Sequence, residues 1–480
     1  MRVSQQYSIG KGQESLEFVD VDVRDDVPLF LDPGSIRLLG TSLSRQCVSL
    51  IQSFFGHVLN CIRTGKDQEA RALLATLSER NQTRLGLSSG RSSGHGMGDG
   101  LALTLWSALS KSKAVTTGLL QDLEETALFV EGIDRDIISD IVTNIIMEPL
   151  VNFTQTMATK YAIPVTPGVA VQYWDPRSKT WVHSTANLPI VDDRPLVLVP
   201  RTFVRRRRAV FNADRYYTHF VLPYLQHREF QAQNGLRRLL ADGSETYAFK
   251  KDIKKRHPGS AKPKNVEITE ESPDLLEQYR EDARKSFEPV ELDDLAEATH
   301  SSAPDFDALL QAVLDVAPGD AGATEYHHAV EALLTALFYP ALDFPEVEYD
   351  LHEGRKRIDI LYTNLAKRGF FHWLHDVQKV PCSYVPVECK NYSKRLTNRE
   401  YDQLAGRFGV QRGKFGILCY RGFVDKQAVL DHCADAARDD RGFMLALDDE
   451  DLKELVEERK ALKSGEEFRG LFTRFQALIS

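Results

Sequence analysis

The sequence has few cysteines and no long apolar run, and each absence excludes a class of protein. The 480 residues contain 6 cysteines and no CxxC pair, which excludes a disulfide framework and predicts buried, reduced thiols. No stretch approaches the ~20 apolar residues that a membrane helix needs. The N-terminal residues lack the basic-then-apolar order of a secretion signal. We therefore expect a soluble, cytoplasmic protein without a membrane partner.

Signatures of nucleotide-driven enzymes are also missing from the sequence. There is no GK[ST] P-loop, no GxGxxG and no methyltransferase or helicase motif. Any control by nucleotide would therefore require a separate ATPase or sensor partner. The hydrophobic fraction of 42% and the length predict a globular chain of two to four domains.

The formal charge of −9 conceals two opposite blocks. Residues 201–264 hold 16 Lys+Arg and 5 Asp+Glu, a difference of +11, whereas residues 265–300 hold 3 basic and 12 acidic residues, a difference of −9. The acidic block favours a solvated linker that is partly helical over residues 275–287. We therefore predict three regions: 1–265, a mixed α/β regulatory, sensor or DNA-binding region; 266–320, an acidic linker; and 321–480, a separate α/β domain.

Local patterns in the first region predict both helices and strands. Alternating apolar and acidic residues over 16–31 favour a strand or hairpin edge, and apolar spacing of three and four after residue 40 favours helices. Residues 169–174 and 180–183 predict a hairpin. The Gly- and Ser-rich residues 85–100 predict a flexible loop; a phosphate-binding loop is the alternative.

A run of arginines in the basic block is a candidate for nucleic-acid binding. Arginines neutralise phosphates, which releases counterions and gives sequence-independent affinity, and flanking aromatic rings can stack on bases. The alternative is a solvated, acid-paired face docked on the acidic linker. The arginines are Arg205, Arg206, Arg207 and Arg208, and the flanking rings are Phe203, Phe211, Tyr216 and Tyr217.

The C-terminal region has an α/β order that brings four polar residues together. We predict helices at 325–338 and 398–408 and strands at 347–352, 357–362, 384–390 and 415–420. Glu331 lies in the first helix, Asp359 in the second strand, and Glu388 and Lys390 in the third. Residues i and i+2 of a strand share a face, so Glu388 and Lys390 point to one side and Asp359 can face them.

These residue types fit phosphodiester hydrolysis. Two close carboxylates repel each other unless a cation lies between them, and a few hard oxygen ligands favour Mg²⁺. A neighbouring ammonium can orient or help deprotonate the attacking water, or stabilise charge on the transition state.

The order Glu331, Asp359, Glu388-Cys389-Lys390 resembles the PD-(D/E)XK nuclease superfamily. The segments GRKRIDILYTN (354–364) and VECKNYS (387–393) are similar to the second and third core strands of its Mrr-like members. The resemblance covers about 120 residues and implies a restriction-endonuclease-like αβββαβ core. It makes Asp359, Glu388 and the backbone carbonyl of Cys389 ligands of Mg²⁺ or Mn²⁺.

The resemblance also implies roles for the remaining residues. Lys390 is the catalytic lysine, Glu331 contacts the metal through water, and Gln403 contacts the site or the DNA. The long connection between Asp359 and Glu388 departs from the family pattern and predicts an inserted helix that either covers the site or marks a binding surface.

The simpler interpretation of D…ExK is a structural ion pair, because charged strands often produce the motif. The apolar neighbours of Glu388 indicate an interior strand, which favours a site. Two histidine pairs, His327-His328 and His372 with His375, lack further ligands at metal-binding spacing, so packing or surface placement is expected for them.

These features predict a Mg²⁺-dependent endonuclease that cuts DNA, most simply double-stranded DNA, as a restriction or anti-phage defence effector with an N-terminal sensor region. Analogy with other nucleases favours a homo-oligomer. The alternatives are a non-catalytic nucleic-acid or protein-binding module on a nuclease-like scaffold, and an RNase.

Overall fold

The computed structural model describes residues 1–77, 81–86, 97–351, 356–392, 394–422, 425–462 and 467–479, with the backbone alone for residues 97–101, 351 and 356. The chain forms two compact units. The N-terminal unit consists of Met1–Tyr7 and Val21–Pro289. The C-terminal unit consists of Ser8–Asp20 and Val290–Ser480. A short segment from the start of the chain thus belongs to the C-terminal unit.

The N-terminal unit combines helices with short antiparallel strand pairs. Its helices are α1 Val3–Gln6, α2 Pro33–Leu39, α3 Ser42–Arg63, α4 Asp67–Ala75, α5 Met97–Lys111, α6 Lys113–Thr116, α7 Thr126–Phe129, α8 Arg135–Ile145, α9 Met147–Lys160, α10 Ala213–Tyr216, α11 Leu222–Gln231, α12 Lys250–Arg256, α13 Ala261–Glu271 and α14 Asp274–Lys285. Its strands are β1 Phe30–Leu31, β2 Thr166–Asp175, β3 Thr180–Leu188, β4 Ile190–Val191, β5 Arg194–Pro195, β6 Val204–Arg205, β7 Arg237–Leu239 and β8 Glu245–Tyr247.

The C-terminal unit surrounds one five-stranded sheet with helices. Its helices are α15 Leu292–Thr299, α16 Phe306–Asp315, α17 Ala323–Phe338, α18 Gly369–His372, α19 Asn398–Ala405, α20 Lys426–Arg438, α21 Asp449–Ala461 and α22 Arg469–Ile479. Its strands are β9 Leu342–Leu351, β10 Lys356–Asn364, β11 Tyr384–Lys390, β12 Phe415–Tyr420 and β13 Phe443–Leu447. The fold is therefore of the general α/β class.

The sheet of the C-terminal unit has the order β13-β12-β11-β10-β9. Strands β9, β10 and β11 pair antiparallel, whereas β11, β12 and β13 pair parallel. The central strands β11 and β12 are buried almost throughout, as their continuous apolar runs predict. One core of buried residues joins these strands to α17, α20, α21 and α22.

Strand β11 coincides with the predicted strand at 384–390, β12 with that at 415–420, and the hairpin β2–β3 includes both predicted strands. The predicted insertion between Asp359 and Glu388 contains α18 and a single π-helical turn, Trp373–Val377. Residues 16–31 differ from the prediction, because among them only Phe30–Leu31 is a strand. Within this segment Leu16, Phe18 and Val19 are buried in an irregular conformation.

The predicted linker 266–320 is folded rather than extended. It contains α14, α15, α16 and most of α13, and the boundary between the two units falls inside it, at Pro289 and Val290. Buried residues of α14 include Leu275, Leu276 and Tyr279. The sequence-based boundaries at 265 and 320 therefore differ from the boundary of the compact units.

Within the described residues, no single helix has both the length and the apolar character to cross a membrane. The adjacent helices α8 and α9 reach that length and apolar character only when they are counted together, and the chain bends by 72° between them.

Candidate active site

The pairing of β10 with β11 brings two carboxylates together in the C-terminal unit. Ile360 lies opposite Val387 in this antiparallel pair, so the next position places Asp359 beside Glu388. The backbone N–H of Cys389 donates a hydrogen bond of 2.8 Å to Asp359 Oδ2. Asp359 and Glu388 therefore share one face of the sheet, as alternation along the strands requires.

Glu388 is the centre of a buried hydrogen-bond network. Lys390 Nζ donates to Glu388 Oε1 at 2.7 Å and to Gln403 Oε1 at 3.2 Å, and Gln403 Nε2 donates to the same Glu388 oxygen. Glu388 is fully buried and Lys390 is 6% exposed. The structure thus brings together the three residues predicted from β11 and the following helix.

The start of α19 explains how Gln403 reaches the network. Thr397 and Glu400 form a capping box, in which the Thr397 N–H and hydroxyl both donate to Glu400 Oε2 at 2.7 Å. Such a box satisfies orphan donors at a helix N-terminus and fixes where the helix begins. Gln403 lies on the same helix, one turn further on.

Burial and charge set the proton affinity of this network. Burial, and then the nearby charge of Asp359, raise the pKa of Glu388 to about 7, although Lys390 and Arg407 oppose this rise. Burial alone would lower the pKa of Lys390, but the Glu388 carboxylate outweighs it and raises the pKa above its ordinary value. Lys390 is therefore an ammonium at neutral pH.

Glu331 is held on the buried face of α17 and is fully buried. His327, one helical turn earlier on the same face, places its Nε2 3.7 Å from Asp359 Oδ2. The face of α17 that carries Glu331 is thus turned toward the β10 end of the site. His327 was expected to be a packing or surface residue, because a sequence does not reveal which face of α17 meets the sheet.

Lys11 is an unexpected member of the site. Its Nζ forms an ion pair with Glu331 Oε2, and Ser15 Oγ of the same segment donates to the carbonyl of Ala332 at 3.1 Å. Both residues belong to Ser8–Asp20, which forms part of the C-terminal unit. The segment therefore adds a cation to the carboxylate that α17 provides.

The donor set fits a hard divalent cation. Among the described residues, Glu388 Oε2 is buried without a hydrogen-bond partner, and the guanidinium of Arg407 approaches it only to 3.9 Å, measured from Nε. A buried carboxylate oxygen in this state is costly unless a cation or water satisfies it. Asp359, Glu388 and the Cys389 carbonyl supply only oxygen ligands, which suit Mg²⁺ or Mn²⁺.

The arginine run lies in the N-terminal unit and is only partly exposed. Arg205 is half-buried: it donates to the Glu288 carbonyl, and its guanidinium lies 5.8 Å from the ring centre of Phe287. Arg206 is also half-buried, whereas Arg207 and Arg208 are exposed. Part of the run thus packs on the acidic segment, as the alternative interpretation expected.

The aromatic residues beside the run do not offer stacking surfaces. All four are at least 93% buried in the N-terminal unit, and Tyr216 packs on Tyr279 with ring centres 5.0 Å apart. The expectation that they stack on bases is therefore wrong, because these rings form core. The exposed fractions are 0% for Phe203, 6% for Phe211, 0% for Tyr216 and 7% for Tyr217.

Among the described residues of the C-terminal unit, the remaining sequence candidates give no second site. His372 Nδ1 pairs with Asp376 at 2.9 Å, and His375 Nδ1 accepts from the Cys382 N–H at 3.1 Å. These two histidines have separate protein partners, as expected for packing. The Gly- and Ser-rich loop falls largely on residues 87–96, outside the described residues.

Comparison with known proteins adds one match. Residues 8–212, less than half of the chain, match the family described as "Domain of unknown function (DUF8370)". No curated protein and no solved structure matches the chain. The matched range contains Lys11 but ends before α17, so it includes none of the carboxylates of the candidate active site.

Proposed function

We propose that the C-terminal unit is a Mg²⁺-dependent DNA endonuclease of the PD-(D/E)XK type, for which Mn²⁺ also serves. The observation that carries this proposal is the placement of Asp359 and Glu388 on adjacent antiparallel strands, with Lys390 two residues along the same strand and hydrogen-bonded to Glu388 at 2.7 Å. Surface charges on a strand also produce the motif, but Glu388 and Lys390 are buried.

The order of elements around the site supports the same proposal. Helix α17 precedes β9, β10 and β11, and α19 and β12 follow. This is the helix, three strands, helix, strand order that the resemblance implies. Fold alone does not determine function, so the proposal depends on the polar residues rather than on this order.

Asp359, Glu388 and the carbonyl of Cys389 would hold the metal ion, which supplies a lowered water pKa and neutralises phosphate charge. The chain's own residues then position the reactants. Glu388 is fixed by Lys390 and Gln403 through one oxygen, Oε1. Its other oxygen, Oε2, is left without a hydrogen-bond partner among the described residues.

Lys390 acts as a cationic donor in this proposal. Its raised pKa keeps it protonated at neutral pH. Two of its three N–H groups donate to Glu388 and Gln403, so the third donates to the attacking water or to the phosphate, and the ammonium does not accept a proton. As water attacks phosphorus it releases one proton to solvent, the P–O bond to the leaving sugar oxygen breaks, and that oxygen takes up a proton from solvent. Negative charge grows on the phosphate oxygens during this step. A fixed ammonium stabilises that charge.

DNA is the proposed substrate and the N-terminal unit the proposed sensor of a restriction or anti-phage defence effector. The exposed Arg207 and Arg208 are the part of the arginine run that can contact phosphates. Cutting both strands of a duplex favours a homo-oligomer, because each copy has one proposed site. Light scattering coupled to size-exclusion chromatography measures that state directly.

Plasmid cleavage by the full-length protein with Mg²⁺ tests the proposal. Asp359→Asn and Lys390→Met should each lower the rate by about 10²–10³, the usual cost of removing a charge that stabilises a transition state. Lys453→Met is the matched control, because Lys453 lies in the same unit and is paired on the surface with Glu450. Cleavage at the wild-type rate by both site variants would refute the assignment, and cleavage of RNA alone would make the protein an RNase.

A non-catalytic scaffold is the second candidate, and one observation favours it. The Lys390–Glu388–Gln403 network satisfies much of its own hydrogen-bonding capacity, as a structural ion pair would. Calorimetry with Mn²⁺ separates the two functions. Binding that Glu388→Gln abolishes supports the enzyme, whereas no binding to the wild-type protein supports the scaffold.

A further inference from the structure

Three metal-binding side chains converge in the N-terminal unit, far along the chain from the nuclease motif. His57 and Cys61 lie four residues apart on one face of α3, and Glu69 lies on α4. His57 Nε2 is 3.0 Å from Glu69 Oε1 and 3.9 Å from Cys61 Sγ. One donor atom from each of the three residues lies within 4.8 Å of the other two.

The fold holds these donors in place by apolar packing. The chain reverses between α3 and α4 at Gly65, whose φ of +71° suits glycine. Val58 and Leu59 on α3 and Leu74 on α4 are buried, so the two helices stay paired on either side of the turn. The arrangement therefore does not depend on a metal to form.

The cluster of His57, Cys61 and Glu69 is open to solvent on one side. Cys61 is fully buried, the side chain of His57 is 11% exposed, and that of Glu69 is 45% exposed. The His57 ring also stacks on Trp174, with ring centres 6.2 Å apart, which fixes its orientation. A water molecule can reach the cluster from the Glu69 side.

We propose that His57, Cys61 and Glu69 form a Zn²⁺ site with a water as fourth ligand. Tetrahedral zinc with bonds of about 2.0–2.3 Å requires donor atoms roughly 3.3–3.8 Å apart. The two distances from His57 Nε2, 3.0 and 3.9 Å, lie just below and just above this range, and the third pair of donor atoms lies within 4.8 Å, so small side-chain shifts would bring the donors to zinc geometry. A thiolate and an imidazole select zinc over Mg²⁺ or Ca²⁺. Binding forms a Zn–S bond, breaks the S–H bond of Cys61 and releases that proton to solvent.

The competing interpretation is an ordinary ion pair beside a buried thiol. Lys66 Nζ lies 3.7 Å from Glu69 Oε2, so Glu69 already has a cationic neighbour. That contact uses Oε2, whereas Oε1 faces His57. The Lys66 contact can therefore persist when a metal binds through Oε1, whereas the metal would replace the hydrogen bond between His57 Nε2 and Oε1.

The test uses the untagged full-length protein, with Zn²⁺ alone for affinity and Co²⁺ alone as a spectroscopic probe. Cys47→Ser is the matched control for Cys61→Ser, because Cys47 is also a fully buried cysteine of α3 but lies outside the cluster. We expect one Zn²⁺ per chain at this site and thiolate-to-cobalt charge-transfer absorption in the wild-type and Cys47→Ser proteins. Cys61→Ser should lose that absorption and bind Zn²⁺ about 100-fold more weakly.

A charge-transfer band that persists in Cys61→Ser, or equal Zn²⁺ affinity of wild type and Cys61→Ser, would overturn the proposal. If Cys61→Ser does not fold, Glu69→Gln tests it instead, because this exposed ligand can change without disturbing the core. Glu69→Gln should weaken Zn²⁺ binding at least tenfold, and an unchanged affinity overturns the proposal. Glu388→Gln, which removes a ligand of the proposed Mg²⁺ site, should leave the thiolate-to-cobalt charge-transfer absorption unchanged, because that site offers only oxygen ligands.

Discussion

The raised pKa of Glu388 makes a specific prediction about stability. The pKa rises from an ordinary value of 4.5 to about 7 in the folded protein. Between these values the folded state keeps a proton on Glu388 that the unfolded state has lost. The free energy of unfolding therefore falls as pH rises through this window, and the contribution of Glu388 is constant above it.

The size of the effect follows from the shift. A difference of about 2.5 pKa units corresponds to about 3 kcal/mol. Glu388→Gln cannot titrate, so the wild-type free energy of unfolding minus that of the variant should fall by about 3 kcal/mol between roughly pH 4 and pH 8. Lys390 remains charged across this range, because its pKa is raised.

Urea unfolding at a series of pH values, with EDTA present to remove divalent cations, measures this difference. Glu450→Gln is the control, because it changes an exposed carboxylate of the same unit, and its difference curve should be flat. A flat curve for Glu388→Gln would show that Glu388 ionises as it does in water, and a curve that rises with pH would show that folding lowers its pKa. Either result would contradict the raised pKa of the buried carboxyl group.

Other predictions concern single side chains of the C-terminal unit. Lys390→Met should lower the free energy of unfolding at pH 8 by about 2 kcal/mol, as measured by urea denaturation. This is less than the about 3–5 kcal/mol of a fully broken buried pair, because Gln403 still donates to Glu388. A free energy of unfolding equal to that of the wild-type protein would contradict this. Lys11→Met removes the cation paired with Glu331. Because the ammonium of Lys11 no longer repels the metal ion, Mn²⁺ binding measured by calorimetry should tighten on the order of tenfold. Weaker or equal binding would show that Lys11 does not oppose the metal. Phe18→Ala, at a fully buried position, should cost about 3–5 kcal/mol of stability, and a loss below 1 kcal/mol would show that the segment is not part of the core.

The central strands and the candidate carboxylates could be predicted from local patterns. Strand β11 has a continuous apolar run that ends in Glu388 and Lys390, and alternation along a strand fixes which side chains share a face. The positions of Glu388 and Lys390 in the sequence were therefore enough to predict that their side chains lie on the same face of β11. The placement of Gln403 at the site or on the DNA came instead from the resemblance to PD-(D/E)XK nucleases, and the structure shows its hydrogen bond to Glu388.

The contribution of Lys11 could not be predicted, because 320 residues separate it from Glu331. No motif marks such a contact, and the alternation over residues 16–31 instead suggested a strand. Leu16 and Phe18 are buried in an irregular segment, where tertiary packing determines the conformation rather than strand propensity.

The prediction for residues 266–320 was correct in its helix and wrong in its solvation. The helix expected over residues 275–287 corresponds to α14. The acidic side chains suggested that this segment is solvated, but Leu275, Leu276 and Tyr279, spaced as on one face of an amphipathic helix, are buried. The aromatic residues around the arginine run were misassigned for a similar reason, since composition does not distinguish a core ring from a stacking surface.

Metal-dependent cleavage of DNA tests the central claim most directly. The initial rate of plasmid nicking with Mg²⁺ should be at least about 100-fold lower for Asp359→Asn than for the wild-type and Lys453→Met proteins. EDTA should abolish the wild-type rate. Equal rates for the wild-type protein and Asp359→Asn, or a wild-type protein that binds Mn²⁺ yet cuts no nucleic acid, would contradict the proposed nuclease.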